Sequence, residues 1–301
     1  MPTIPPRVRV VLGAARRRAR FAVLSLARPW LEPRRRRLNA EWRTAVLAAA
    51  TPAAAPARSL LVLAPHPDDE TIGCAATIAQ RVAAGQRVDI VVVSDGGDSH
   101  RSERISPSEL AELRREESVA AAGVLGVPAA RVHFLGADAD ELRTGTDAII
   151  DRLCPVLTDV DPQEVLLISA EEWPEEHRLV HHLGLAALRR VGFSGPVSAY
   201  PVWQWTDGPM RTAPFAPLPT QLRELRRARR EPVAPGWWSV PVSDPDLKRQ
   251  AFAAYRTQTT SYTGESSWVP FPDNWLAPFL DREVFRPVDP GSHAVRGDAA
   301  R

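Results

Sequence analysis

An apolar run that ends at a cluster of imidazole and carboxylate side chains constrains this chain more than any other feature: residues 59–72 read SLLVLAPHPDDETI. The unbroken aliphatic stretch Leu60–Ala64 suits a strand buried on both faces, and Pro65 and Pro67 stop it from simply continuing as strand or helix. The following TIGCAATIAQRVAAG has helical spacing. His66, Asp68, Asp69 and Glu70 therefore stand at the carboxyl end of a strand, the edge where open α/β sheets bind ligands. His66 and Asp69 offer a mixed nitrogen and oxygen donor set that suits zinc and leaves room for water and substrate if one more ligand arrives. Asp68 is then available as a general base toward water at the metal. The plainer reading is that Asp68–Thr71 only cap the next helix, whose N-terminus favours acids.

From Ser59 onward strands and helices alternate: strands at 59–64, 87–94, 131–135 and 164–169, helices at 70–84, 107–125, 145–158 and 175–191. Short linkers and β-branched runs such as VDIVVVS predict an α/β, Rossmann-like three-layer fold with a mostly parallel sheet. No Gly-x-Gly-x-x-Gly follows the first strand, so dinucleotide binding has no support. With 301 residues, 44% of them hydrophobic, the chain can build one such core with extensions. The expected organisation is a basic extension over 1–57, a domain over 58–287 whose last part is rich in Pro and Trp, and a disordered tail over 288–301.

Several motifs in order carry a family resemblance. Ala64–Glu70, APHPDDE, resembles the opening motif of the PIG-L/LmbE-like zinc-dependent N-acetylglucosaminyl deacetylases. Ser94–Gly97, SDGG, is similar to that family's TDG; LRREESVAAAGVLGV resembles its Arg/Glu helix, Phe134–Gly136 its FLG, and Lys248 with AYRTQ its late K…H-R-S-Q segment. The resemblance covers residues 58–262. It implies one Zn²⁺ per chain held by His66, Asp69 and His177, with Asp68 as the catalytic base. It implies substrate contacts at Arg114, Asp95 and, less directly, Asp138 and Asp140. For Arg114 the plainer alternative is ion pairing along its own Glu-rich helix.

In the family the segment carrying the last ligand reads H-P-D-H; here its first His falls on Pro174 and its Asp on Glu176. His100, His181 and His182 are candidates to supply the missing acid, or Asp68 shuttles the proton alone; Glu176 can orient a neighbouring group. The implied activity is removal of the N-acetyl group from an N-acetylglucosamine-type sugar or glycoconjugate. An amidase acting on a larger N-acyl glycoconjugate and a catalytically impaired sugar-binding homologue stay open. A phosphoesterase is disfavoured because only one mononuclear ligand set is present.

Net charge is only +2, but the first 58 residues hold thirteen Arg against Glu32 and Glu41. Such a segment suits peripheral contact with an anionic membrane better than nucleic acid, or is simply a solvated arm. No stretch approaches the roughly 18 apolar residues of a membrane span, and no clean secretion signal is present, so a cytoplasmic location is expected. Two cysteines, Cys74 and Cys154, cannot form a disulfide framework and read as small buried hydrophobes.

Overall fold

The structure, a computed structural model, describes residues 6–53 and 56–291, with side chains from residue 26 onward. The helices are α1 (Pro6–Ala49), α2 (Asp69–Ala83), α3 (Pro107–Val124), α4 (Ala139–Thr144), α5 (Thr146–Val160), α6 (Glu175–Arg190), α7 (Trp203–Asp207), α8 (Leu218–Ala228), α9 (Pro245–Ala253) and α10 (Arg256–Thr259). The strands are β1 (Thr51–Pro52), β2 (Leu60–Ala64), β3 (Val88–Ser94), β4 (Val132–Ala137), β5 (Glu164–Ile168), β6 (Val197–Tyr200), β7 (Trp238–Pro241) and β8 (Arg282–Pro287).

The strands form one eight-stranded sheet in the order β1-β7-β8-β6-β5-β2-β3-β4. Strands β2 to β6 pair in parallel, as their aliphatic runs predict: every residue of β2, β3 and β5 is buried. Each buried Leu, Ile or Val there contributes about 1.5–3 kcal/mol relative to exposure. Helices α5 and α6 pack together, while α9 packs against both α2 and α3. The sequence does not announce β8, which runs antiparallel to both β6 and β7 and extends the sheet beyond the alternating pattern.

The chain leaves β2 toward β3 and β4 on one side, then returns to place β5 against the other side of β2. That reversal opens a crevice between the carboxyl ends of β2 and β5. Local capping and close packing shape its walls. Helix α3 opens on a reciprocal cap in which Ser106 Oγ accepts from Glu109 N and Glu109 reaches back to Ser106 N, with Pro107 in the first turn. Gly73 lets α2 lie close on Tyr200, because a Cβ there would stand 2.3 Å from the Tyr200 ring.

The basic extension expected over 1–57 is helical over Pro6–Ala49, and its later half lies on the domain. Leu31 and Leu38 join Met210, Leu225 and Ala228 in a second apolar cluster, and Trp42 stacks edge-on against Trp205 and Trp237. Of the tail expected over 288–301, residues 292–301 lie outside the described residues, and Val288 N donates to Val197 O. Among the described residues no helix is long and apolar enough to cross a membrane.

Candidate active site

The β2–α2 turn and the start of α6 meet at the crevice. His66 Nδ1 lies 3.2 Å from His177 Nε2 and 3.3 Å from Asp69 Oδ2, and His177 Nε2 lies 3.5 Å from that same oxygen. Donors about 2.0–2.1 Å from a tetrahedral zinc stand about 3.3–3.4 Å apart, so the three atoms form one face of such a tetrahedron. Electrostatics agree with the geometry. Burial pushes the His66 imidazole down, but its bonds to Asp69 and Glu176 outweigh that and hold it up at about 9; the pocket favours positive charge where the donors converge. Asp69 sits below the usual carboxylate range, its burial outweighed by His177 and His66. The residues present therefore fit a zinc ion.

Both imidazoles are steered from behind by carboxylates. His66 Nε2 donates to Glu176 Oε2 at 3.1 Å, and Arg143 holds the other oxygen of Glu176 at 3.2 Å. His177 Nδ1 has no hydrogen bond of its own but lies 3.4 Å from Glu172 Oε2. Glu172 is fully buried and accepts from the backbone N–H groups of Val202, Trp203 and Gln204, which ties this ligand to the start of α7. Such carboxylate partners fix a ligand's tautomer and orientation. Glu172 was not singled out by the sequence; its only signal is an acid four residues beyond a buried strand.

Asp68 does not cap α2. It occupies the N-cap position without a side-chain capping bond, and its backbone has φ 125°, ψ −29°, a conformation rare for any residue but Gly. Such strain costs of order 1–3 kcal/mol and persists where its surroundings over-determine it. Here Asp68 N donates to Glu70 Oε2 at 3.2 Å, and Glu70 is held by the hydroxyls of Thr71 and Tyr255. The Asp68 carboxylate receives Arg114 Nη2 at 3.0 Å, while the same guanidinium donates to the carbonyls of Pro67 and Gly96. Burial raises the Asp68 carboxyl well above its ordinary range, and Arg114 pulls it back. Gly96 is required for this contact: it sits at φ +71°, and a Cβ would meet Arg114 Nη1 at 2.6 Å.

The other candidates are dispersed. Asp95 is half-buried and accepts from Gly97 N at 2.9 Å, its carboxyl raised by burial. Asp138 caps α4, and Asp140 is almost fully solvent-exposed, paired with Arg143 at 3.3 Å. His100 stacks on Trp268 and shares a hydrogen bond with Val269 O at 3.2 Å. His181, on α6, donates from Nδ1 to Ile168 O at 2.7 Å; burial drives its imidazole down to about 4, so it is neutral. His182 is exposed. Trp173, beside Pro174, donates its indole N–H to Asp207 at 2.8 Å.

The same stretch of chain is the part that matches a known family. Residues 61–188 match PIG-L, GlcNAc-PI de-N-acetylase. The match to the PIG-L (LmbE-like) family covers 128 of the 301 residues, somewhat under half of the chain. A diacetylchitobiose deacetylase from Thermococcus kodakarensis is similar to it, 30% identical over 138 residues, which is 46% of this chain and 51% of that protein. The alignment thus spans about half the length of the curated relative. Two solved deacetylase structures superpose on most of the chain. The N,N'-diacetylchitobiose deacetylase from Pyrococcus horikoshii, complexed with its inhibitor MPG, covers 77% of this chain and 84% of its own with TM-score 0.51 and 22% identity. The A40926 pseudoaglycone deacetylase Dbv21 covers 79% and 99% with TM-score 0.53 and 20% identity. At those identities the likeness is one of fold. The shared fold accounts for the crevice; the site chemistry rests on the residues in it.

Proposed function

We propose that this chain is a PIG-L-like, metal-dependent N-deacetylase that removes the acetyl group from an N-acetylglucosamine-type sugar or glycoconjugate. The observation that carries the reading is the triangle of His66 Nδ1, Asp69 Oδ2 and His177 Nε2 with Asp68 one residue away. Zinc on these three donors supplies a Lewis acid for the amide carbonyl and lowers the pKa of water beside it. Asp68 takes a proton from the attacking water as the new C–O bond forms. When the tetrahedral adduct collapses, the C–N bond breaks and the same carboxyl returns that proton to the departing amine; acetate and a free amino sugar result.

The departure at Pro174 supports this single-carboxyl shuttle, since His181 is neutral and bonded to Ile168 O and His100 is bonded to Val269 O. The activity of the Thermococcus relative and the de-N-acetylase character of the family support the acetamide as the bond cut. Asp95 and Asp140 are proposed as sugar-hydroxyl contacts. Arg114 is proposed to act through Asp68, to which it is bound, rather than on the sugar.

Acetate release from a panel of N-acetylated sugars and glycolipids, measured on zinc-loaded protein with the zinc content determined in parallel, tests the reading. Release that depends on metal and is lost in Asp68→Asn supports it. Cleavage only of larger N-acyl groups replaces it with the amidase, and sugar binding with no product replaces it with a sugar-binding homologue.

A further inference from the structure

Helix α1, α8 and the loop before α8 build a surface that the proposed chemistry does not use. Ala27, Leu31 and Leu38 of α1 share one apolar cluster with Met210, Leu218, Leu222, Leu225 and Ala228. The residues that fringe this cluster point outward. Leu26 is 84% exposed, Trp30 48% and Phe215 67%, a large apolar side chain in each case. Interleaved with them are exposed Arg28, Arg34 and Arg36 on α1, and Arg223, Arg226, Arg229 and Arg230 on and just after α8. Helix α8 thus divides cleanly, with Leu225 and Ala228 inward and arginine outward. Arg34 lies over the Trp30 ring at 3.9 Å, an arrangement that keeps cation and indole together at an interface.

This surface is joined to the crevice by a short run of contacts. Arg35 of α1, 4% exposed, bonds Gln221 of α8 at 3.3 Å and lies 3.8 Å from Asp207 of α7. Gln221 in turn donates to the carbonyls of Pro214 and Ala216, on either side of Phe215. Phe215 stands edge-on to Trp173 with ring centres 5.7 Å apart, and Asp207 takes the Trp173 indole N–H. Trp173 lies four residues before His177, on the loop that leads into α6. The exposed aromatic and the loop leading into the ligand helix are therefore parts of one packed unit.

We propose that this composite face binds an anionic lipid bilayer, with Leu26, Trp30 and Phe215 entering the headgroup boundary, the arginines on lipid phosphates, and the crevice mouth held at the membrane surface. Shallow apolar side chains combined with cationic ones are the two signals that peripheral anchoring needs. The choice of lipid over nucleic acid rests on the three exposed apolar side chains, which a phosphate backbone would leave in water. The inference deepens the deacetylase reading by naming where its substrate is met, but the binding itself does not depend on catalysis.

Co-sedimentation of the full chain with vesicles of phosphatidylcholine containing phosphatidylserine, against phosphatidylcholine alone, tests it. Binding is expected only to the anionic vesicles and is expected to weaken with added salt. Arg226→Ser and Arg223→Ser should each lower the partition coefficient about fivefold, and Trp30→Ser with Phe215→Ser should lower it further. These side chains are exposed, and circular dichroism checks that each variant is folded. Asp68→Asn should bind vesicles like the parent, so a failed acetate assay leaves this result standing and a failed vesicle assay leaves the deacetylase standing. Binding indifferent to anionic lipid, or unchanged in the Arg223, Arg226 and Trp30/Phe215 variants alike, overturns the proposal. So does preferential capture by duplex DNA without vesicle binding.

Discussion

Arg114 Nη2 and Asp68 Oδ2 form a buried ion pair 3.0 Å long, both side chains less than a tenth exposed. The pair tunes the proposed base: burial raises the Asp68 carboxyl well above its ordinary range, Asp69 and Glu70 push the same way, and the guanidinium, with His66, offsets part of that rise. Arg114→Met should lower kcat by about 10²-fold or more, the scale of losing a general base, with KM little changed and zinc retained. Because Asp68 would hold its proton to higher pH, the acidic limb of kcat/KM should move toward alkaline pH. A change confined to KM would instead make Arg114 a sugar contact.

The ligand triangle separates binding from chemistry. His66→Ala and His177→Ala should each lose bound zinc, measured by elemental analysis after gel filtration. Asp68→Asn should keep zinc and lose about 10²–10⁴-fold in turnover. Full zinc retention by either histidine variant would remove that residue from the metal site.

Glu172 and Glu176 should show their roles in affinity. Glu176→Gln removes the charge that faces His66 Nε2 at 3.1 Å, and Glu172→Gln the one facing His177 Nδ1 at 3.4 Å. Each should weaken zinc binding about 10–100-fold, read by competition with a chelating dye. Glu172→Gln should also loosen the β6–α7 turn, because a neutral amide is a poorer acceptor for the three backbone N–H groups that Glu172 gathers.

The alternating half of this fold was legible because buried parallel strands are written as unbroken aliphatic runs, and LLVLA, VDIVVVS and EVLLI all lie where they are read. Antiparallel β8, Arg282–Pro287, was not legible: its charged residues resemble a loop, and it forms only by pairing with β6 and β7. Helix α1 was missed for a related reason. Its Arg-rich sequence has no strong apolar face, and Pro29 and Pro33 argue against a continuous helix; the docking of Leu31, Leu38 and Val46 outweighs both. In the site, His66 and Asp69 were legible because they follow a strand end, and His177 through the family resemblance of its segment; the structure brings the three together. The link from Arg114 to Asp68 was not, since 46 residues and a loop through Gly96 separate them.

Lys248 and Glu283 form another buried pair, 2.6 Å apart with both side chains at most 1% exposed. Glu283 also accepts from Ala76 N, Thr77 N and Thr77 Oγ1, so it pins α2 behind the ligand turn. Lys248→Met would leave that carboxylate without its cation. The expected cost is about 3–5 kcal/mol of stability, measured by urea unfolding. A loss under about 1 kcal/mol, the range of an exposed pair, would mean that the three hydrogen bonds alone satisfy Glu283.

His181 gives the chain an acid-sensitive fastening. Its imidazole is held neutral at about 4, against 6.5 when free, chiefly by burial, and its Nδ1–H is bonded to Ile168 O. His182, Arg286 and Glu171 are the charged or titratable groups acting on it, and Arg286 and Glu171 are themselves paired at 3.1 Å. Since the folded pKa is the lower one, the unfolded chain binds the extra proton between these values. Stability is therefore complete above about pH 6.5 and is lost as pH falls toward 4, by about 3 kcal/mol in all. His181→Asn keeps an N–H donor for Ile168 but cannot titrate in this range. Urea midpoints measured from pH 7 to pH 4 should fall more steeply for the parent than for this variant, whatever the variant's stability at pH 7. Zinc release on acidification contributes to both curves alike, so the difference in slope isolates His181. Equal slopes would mean that His181 titrates as it would in water and that burial does not depress it. If turnover at pH 7 is also little changed in the zinc-loaded variant, the proton for the departing amine comes from Asp68 and not from this histidine.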